Sequence, residues 1–598
     1  MRRRAVALVL AITAVGTPGA LTGAGSQVLG STTWLSTGLP PSFEGGTAGE
    51  PALSADGTTV AYAATAPTQT GRPPSGRSEV FVHDSRRPAG DRIEQVSVGS
   101  DGRAAETGSS GQPSVSCDGR FVAFTSDAAL DPDDGDGGAA DVYVRDRVNG
   151  TTELVSGSAL GDAAGAPFAG TARSPAISAD GRYVAMVVAP VQQTRLLPSQ
   201  VYVYDRVEQI ARLVSRQAGG VDAGSRDSYA PSISADGGVV AFASVADLDG
   251  PVPLEATPHA RIFVWRRTDD TVLPASVALG GGRPDGPCGP PGVSQGGRLV
   301  AYACLAANLV QGDTNRAGDV FVTDWAARTT TRVSVATSGA QGNGDSCQPT
   351  AAGLCDGRVA ISGDGRFVAF TSLATNLLDG APPTTTGASS TTSTRPGGTE
   401  VVPAQLASSG GRDLNAASDV FVRDLTDRRT VRVSLLTAGA EVTDGASSSP
   451  AIANGARRIA FVSDSRSLTD GRCHPSRCAP NVFVRDDPAV CSPCEADECP
   501  PPPAVPQVRI NQAFVPEGRV ATAIGTNFPP SSSVEVTVGE QVQTVTTNAA
   551  GAFEAPVIVP HGAATGLETV RAQGGVRSGK ASFFVVRRSA QPPFPEIS

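Results

Sequence analysis

One eleven-residue phrase recurs seven times along this chain, and no other feature limits the possible fold as much. It reads "PAISADGRYVA" at Pro175 to Ala185, with near-copies starting at Pro51, Pro113, Pro231, Pro291, Val359 and Pro450. Each copy opens with a residue suited to a strand start, places an Ile, Val or Leu two residues on, and then turns before a second apolar run. The turn is Asp-Gly in five copies, Gly296-Gly297 in the fifth and Asn454-Gly455 in the seventh. These residues tolerate positive φ, so the spacing predicts a β-hairpin closed by a two-residue type I′ turn. A fold built from one unit stacked many times follows.

A second phrase follows each hairpin: "EVFVHD" ending at Asp84, "DVYVRD" at Asp146, "QVYVYD" at Asp205, "RIFVWR" at Arg266, "DVFVTD" at Asp324, "DVFVRD" at Asp424 and "NVFVRD" at Asp486. Its three consecutive apolar residues leave no polar face, as in a strand covered on both sides. A third phrase, around Val96, Val155, Val214, Val333 and Val433, supplies a fourth strand. Four strands per unit and seven units predict an all-β fold, a seven-bladed β-propeller over residues 31–487. The seventh unit lacks its own fourth strand, while "STTWLSTG" at Ser31 to Gly38 matches "TTELVSG" of the second unit. The N-terminal strand is therefore expected to complete blade seven and leave no bare edge.

These phrases resemble the WD-repeat-like units of the TolB propeller family, on Pro-x-(Ile/Val)-Ser-x-Asp-Gly-x-x-Val-Ala-(Phe/Tyr) followed by Asp-Val-Phe-Val-x-Asp. The resemblance implies a rigid ring that binds proteins, glycans or small ligands; family members fused to hydrolase domains have a domain that this chain lacks.

Residues 1–24 read as a signal peptide: Arg2 to Arg4, an apolar run from Ala5 to Val15, then small residues near Ala20 or Ala24. The run is short for a membrane span, so a secreted or extracytoplasmic protein, free or associated with the cell wall, is expected. Ten cysteines in such a chain point to disulfides. Cys288 with Cys304, Cys347 with Cys355 and Cys473 with Cys478 are the expected pairs; Cys117, Cys491, Cys494 and Cys499 stay unassigned. Residues 488–506 form a Cys/Pro-rich linker, and Gly380 to Gly411 reads as a low-complexity loop thrown out of blade six. Seven short apolar runs within 507–587 suit an Ig-like β-sandwich, and 588–598 reads as a tail.

The net charge of −10 argues against nucleic acid, whose phosphates would repel it, and no basic stripe with interleaved aromatics is present, so nucleic acid is not an expected partner. "GVSQG" around Ser294 imitates a nucleophile elbow, yet it occupies an ordinary hairpin with no helix after it. With four histidines in separate segments, a Ser-His-Asp set has little material. Carboxylates are better placed. "DTNRAGD" (Asp313, Asn315, Asp319) and "DLNAASD" (Asp413, Asn415, Asp419) share one spacing, and blade two carries a denser version at Asp131, Asp133, Asp136 and Asp141. Such oxygen-rich loops suit calcium, the one candidate cofactor where none is required; the competing reading is that they cap turns. Trp265, Arg266 and Arg267 break the repeat in blade four and suit a glycan or anionic ligand. The function expected is a non-catalytic, monomeric scaffold binding a protein or a cell-envelope glycan. The alternative is a metal-assisted lyase or hydrolase acting on an envelope polysaccharide.

Overall fold

A computed structural model describes residues between 30 and 586, apart from 40–45, 67–76, 157–168, 218–222, 251–258, 351–354, 379–412, 470–479, 487–506, 560–565 and a few single or paired positions. The signal peptide, the low-complexity loop, the Cys/Pro-rich linker, the tail, Asp136, His474, His561 and Cys473, Cys478, Cys491, Cys494 and Cys499 lie outside the described residues.

Each repeat folds into a four-stranded antiparallel sheet, and the third sheet carries one extra two-residue strand. In the second sheet the strands are Ser110–Val115, Phe121–Ser126, Asp141–Asp146 and Thr151–Leu154, paired in chain order. The third strand is buried throughout and the second at every position but Thr125, because neighbouring sheets cover both of their faces, which is why "FVAF" and "VYV" carry no polar alternation. Aromatic side chains pair across these two strands in six of the sheets, stacked in five, as Phe124 on Tyr143 and Phe370 on Phe421 with centroids 5.9 Å apart in both, and tilted in Tyr302 with Phe321. Each such ring, fully buried, contributes on the order of 2 kcal/mol through its apolar area.

Consecutive sheets share an apolar core, and the succession closes on itself. Val122 and Phe124 of the second sheet pack on Val80 and Val82 of the first. Ala460, Val482 and Val484 of the last sheet pack on Val60, Tyr62 and Phe81 of the first. Closure is sealed by the N-terminal strand Ser31–Trp34, which pairs with Asn481–Asp486 so that Trp34 faces Phe483 and Ser31 faces Asp486. Leu35 continues the pairing, its N–H donating to Val482 O at 2.9 Å. The expected strand exchange is thus present, and it gives the last sheet the same four-strand order as the others.

The hairpin turns differ from the type I′ expectation. In six copies positive φ falls on the glycine alone, from 64° at Gly237 to 78° at Gly181. Gly57 N–H donates to Ser54 O, so the tight turn centres on Ala55 and Asp56, with Gly57 absorbing the left-handed step back into the strand. Asp56 is retained for its side chain: Oδ1 accepts the Ser54 hydroxyl and the Thr58 N–H. Glycine is needed for a second reason as well, since a Cβ on Gly181 would fall 2.2 Å from the Phe121 ring of the preceding sheet.

These turns form a belt around one end of the ring. Cys117 N–H donates to Ala179 O, Ala179 to Ala235, Ala235 to Gln295 and Gln295 to Gly363, each at 3.0 Å. Gly363 N–H donates to Asn454 Oδ1, Asn454 N–H to Ala55 O, and Asp56 N–H to Cys117 O. Seven turns are linked head to tail. At the opposite end lie the connections between the second and third strands and between successive sheets.

Two inner strands are short, Gly292–Val293 in the fifth sheet and Val359–Ile361 in the sixth, against six residues or more elsewhere. Pro290 and Pro291 have no N–H to give to a ladder there. Disulfides stand where the pairing is missing: Cys288–Cys304 joins the inner approach of the fifth sheet to its second strand, and Cys347–Cys355 closes the approach to the sixth. Both pairs are those expected. Cys117 is also disulfide-bonded.

Residues 507–586 form a separate two-sheet sandwich. One sheet orders Gln507–Ile510, Val520–Thr526 and Phe553–Ile558; the other has five strands, including Ser533–Val538 and Arg577–Val586. Val508, Val515, Phe528, Val536, Phe553 and Val570 fill the space between them.

Candidate functional site

Charged residues that recur in most of the units are occupied by the ring itself. The arginine after the turn glycine reaches the aspartate that ends the third strand: Arg120 to Asp146 at 2.7 Å, Arg182 to Asp205 at 2.8 Å and Arg366 to Asp424 at 2.6 Å. Burial works against these carboxylates, yet hydrogen bonds from the arginine and from backbone N–H groups hold Asp146, Asp205 and Asp424 below the usual range.

A second recurring pair explains the start of the third strand. In the sixth sheet the Ser434 hydroxyl donates to Asp419 Oδ1 at 2.6 Å and accepts the Val420 N–H at 3.1 Å. Ser334 with Asp319 and Ser156 with Asp141 repeat this, while Ser215 uses Gln200 Oε1 and Ser36 uses Asn481 Oδ1. An amide oxygen therefore serves as well as a carboxylate. Asp319 and Asp419 carry a charge that the pairing does not require.

That charge meets further groups at the end of the ring opposite the belt. Asp419 and Asp413 stand with Glu441, from the connection to the seventh sheet, with one oxygen of each carboxylate within 4.8 Å of the others. Arg432, at the end of the fourth strand, lies 2.7 Å from Glu441 and 3.4 Å from Asp419 Oδ2. Burial raises Asp419 to about 6, Arg432 and Ser434 work against the rise, and Asp413 and Glu441 add to it. Burial also raises Asp413, whose carboxyl shares a hydrogen bond with Glu441. Asn415 is a clamp: Oδ1 accepts the Ala417 N–H, and Nδ2 donates to Val442 O at 2.7 Å, beside Glu441.

The fifth sheet carries the same frame with one difference. Arg332 lies 3.5 Å from Asp313 and 3.6 Å from Asp319, and Asn315 donates to Asp319 and to Gly342 O. Gln341 occupies the place of Glu441, as the matching bridges Val335 to Gln341 and Leu435 to Glu441 show. Its amide is spent on the loop backbone, donating to Gly312 O at 2.8 Å. Burial raises both Asp313 and Asp319.

The remaining expected residues do not converge. Asp131 accepts the N–H groups of Asp133 and Leu154, and Asp133 is ion-paired with Arg571 of the C-terminal sandwich. Asp141 is held by Ser156. Trp265 is a core residue with 0% exposure, its Nε1 donating to Asp270 at 2.7 Å, so its ring has no face for a ligand. Arg266 pairs with Asp269, and Arg267 lies 4.2 Å over the Tyr183 ring. Sequence reasoning missed Glu441 and Arg432. Aligning "SVATSGAQ" with "SLLTAGAE" exposes the Gln341/Glu441 exchange, though not its neighbours.

The closed succession of four-stranded sheets decides the architecture. The protein is a β-propeller. No family model matches the sequence, and no curated protein does. Among solved structures the chain is similar to a TolB protein from Agrobacterium tumefaciens, at 15% identity over 48% of this chain and 80% of that one, with a TM-score of 0.29. It is similar to a prolyl endopeptidase at 12% identity, TM-score 0.39, over 80% of this propeller chain but only 54% of that enzyme, about half its length. The Dos1 propeller matches at 9% identity over 77% of this chain and 94% of that one, with a TM-score of 0.35. The fold assignment rests on the sheets and their closure, and these likenesses carry nothing about activity.

Proposed function

We propose that this propeller is an exported, monomeric binding scaffold, seven-bladed and joined to an Ig-like spacer, that presents the loops opposite the belt to a protein or cell-envelope glycan. The observation that carries this reading is the use of the recurring charges: the arginines and aspartates of the repeat hold the ring together, and the belt ties its turns into one rigid frame. A rigid ring with variable loops suits recognition, because binding then orders little that was not already ordered. The leader-like N-terminus and the disulfides support an extracytoplasmic location. Among the described residues no helix is long and apolar enough to cross a membrane.

The second reading, a metal-assisted lyase or hydrolase on an envelope polysaccharide, is favoured by the carboxylate cluster of the sixth sheet alone. A pull-down from envelope fractions, with the mature protein and with residues 507–598 deleted, separates the two. The scaffold reading expects a specific component retained by the full chain. Turnover of an envelope polymer during incubation, with no component retained, would overturn it in favour of the enzyme.

A further inference from the structure

We propose that Asp413, Asp419 and Glu441 form a calcium site in the sixth sheet, and that the matching place in the fifth sheet, where Gln341 stands, is its non-binding counterpart. The proposal does not depend on the scaffold reading.

Three observations carry it. The cluster offers oxygen donors only, one from each carboxylate within 4.8 Å of the others, a span that ligands on opposite sides of one calcium ion would have. Asp419 is 1% exposed, and its Oδ2, 3.4 Å from Arg432 Nη1, receives no hydrogen bond. Nor does Arg432 complete the set: its Nε and Nη1 are buried without a well-formed hydrogen bond, although Nη1 is close to both Glu441 and Asp419. Buried polar atoms are seldom left in this condition, and a cation coordinated by the three carboxylates would satisfy the orphaned oxygen.

Charge points the same way. Once the proton shared by Asp413 and Glu441 is released, three carboxylates against one guanidinium leave two negative charges, which a divalent ion neutralises. Two carboxylates against Arg332 leave one, and the Gln341 amide is already committed to the loop. Calcium is favoured over magnesium because an irregular, loop-borne oxygen set does not impose the octahedron that magnesium demands. Asn415 supports the site by tying the loop of Asp413 to the segment that carries Glu441.

The test is calcium titration by calorimetry on the chelator-treated full-length mature protein, beside Glu441→Gln and Gln341→Glu. Wild type is expected to bind one equivalent, with a dissociation constant of about 10⁻⁴–10⁻³ M as in extracellular modules. Calcium at ten times that constant should raise the folded-to-unfolded ratio about eleven-fold. Glu441→Gln, which installs the side chain of the fifth sheet, should bind none while keeping the wild-type circular dichroism. Gln341→Glu should bind two. No calcium uptake by wild type at millimolar concentrations, binding of magnesium in preference to calcium, or unchanged binding by Glu441→Gln would each overturn the proposal. Should Glu441→Gln fail to fold, a single equivalent in Gln341→Glu would overturn the role assigned to this position.

Discussion

The fifth and sixth sheets were built to one plan and differ by one side chain at the place where the plan becomes costly. Both bury an aspartate at the head of the third strand beside a second one from the preceding loop, both face the pair with an arginine from the fourth strand, and both use an asparagine to clamp the loop. Where the fifth sheet has the neutral Gln341, bonded to its own loop, the sixth has Glu441 in an ion pair with the arginine. A neutral amide lets the frame be purely structural. A third carboxylate creates a surplus of negative charge that structure alone does not call for, which shows how a repeat protein makes one unit special without altering its fold.

The comparison is broken or sharpened most strongly by removing the arginines. In chelator, Arg432→Met should cost about 3–5 kcal/mol in urea denaturation, because buried Asp419 and the half-buried Asp413 and Glu441 lose their counter-charge. Arg332→Met should cost clearly less, since its contacts are longer and face two carboxylates. Equal losses would show that carboxylate number does not set the cost.

Acidity gives the next effect. Asp419 titrates near 6 in the folded protein, above its unfolded value of 3.8, so the native state holds a proton that the unfolded chain releases. Its contribution to stability is complete below about pH 4 and lost as pH rises through about 6, about 3 kcal/mol in all. Asp419→Asn should flatten this part of the profile in the metal-free protein. Asp146, Asp205 and Asp424 act with the opposite sign, stabilising above the unfolded pKa and losing that contribution as pH falls through their depressed values. A profile unchanged by Asp419→Asn would remove Asp419 as the source of the slope.

The staples rank third. Replacing Cys288 and Cys304 by alanine opens a loop of sequence separation 16, and replacing Cys347 and Cys355 one of 8. Losses of about 3 and about 2.5 kcal/mol are expected, read from denaturation midpoints. Much smaller losses would mean that the short inner strands do not depend on them. The smallest effects belong to the repeat ion pairs. Arg366, which bonds both oxygens of Asp424 and reaches Asp427, should lose about 1 kcal/mol on change to alanine. Arg298, 72% exposed and making one contact with Asp324, should lose less than about 0.5 kcal/mol.

How far the sequence could be read follows the range of the interactions involved. Strand identity was legible because "VAF" and "VFV" state a two-sided burial locally, and the pairing of Trp34 with Phe483 was legible because the seventh unit visibly lacks a strand. The turn was misassigned because Asp-Gly fits two turn types, and the choice came from the belt and from the ring packed against each glycine. Trp265 broke the repeat in sequence and yet filled the core, since the unit had room for an indole and Asp270 for its N–H.

By itself the sequence determined the all-β unit, its seven repetitions, the N-terminal closure and the two disulfides, all of which follow from local pattern and a fixed period. Only the tertiary structure decided which charges meet. Asp413, Asp419, Arg432 and Glu441 come from a loop, two strands and the connection to the next sheet, and it is their meeting around the buried Asp419 and Arg432, where water screens weakly, that gives the one exchange of Gln341 for Glu441 its consequence.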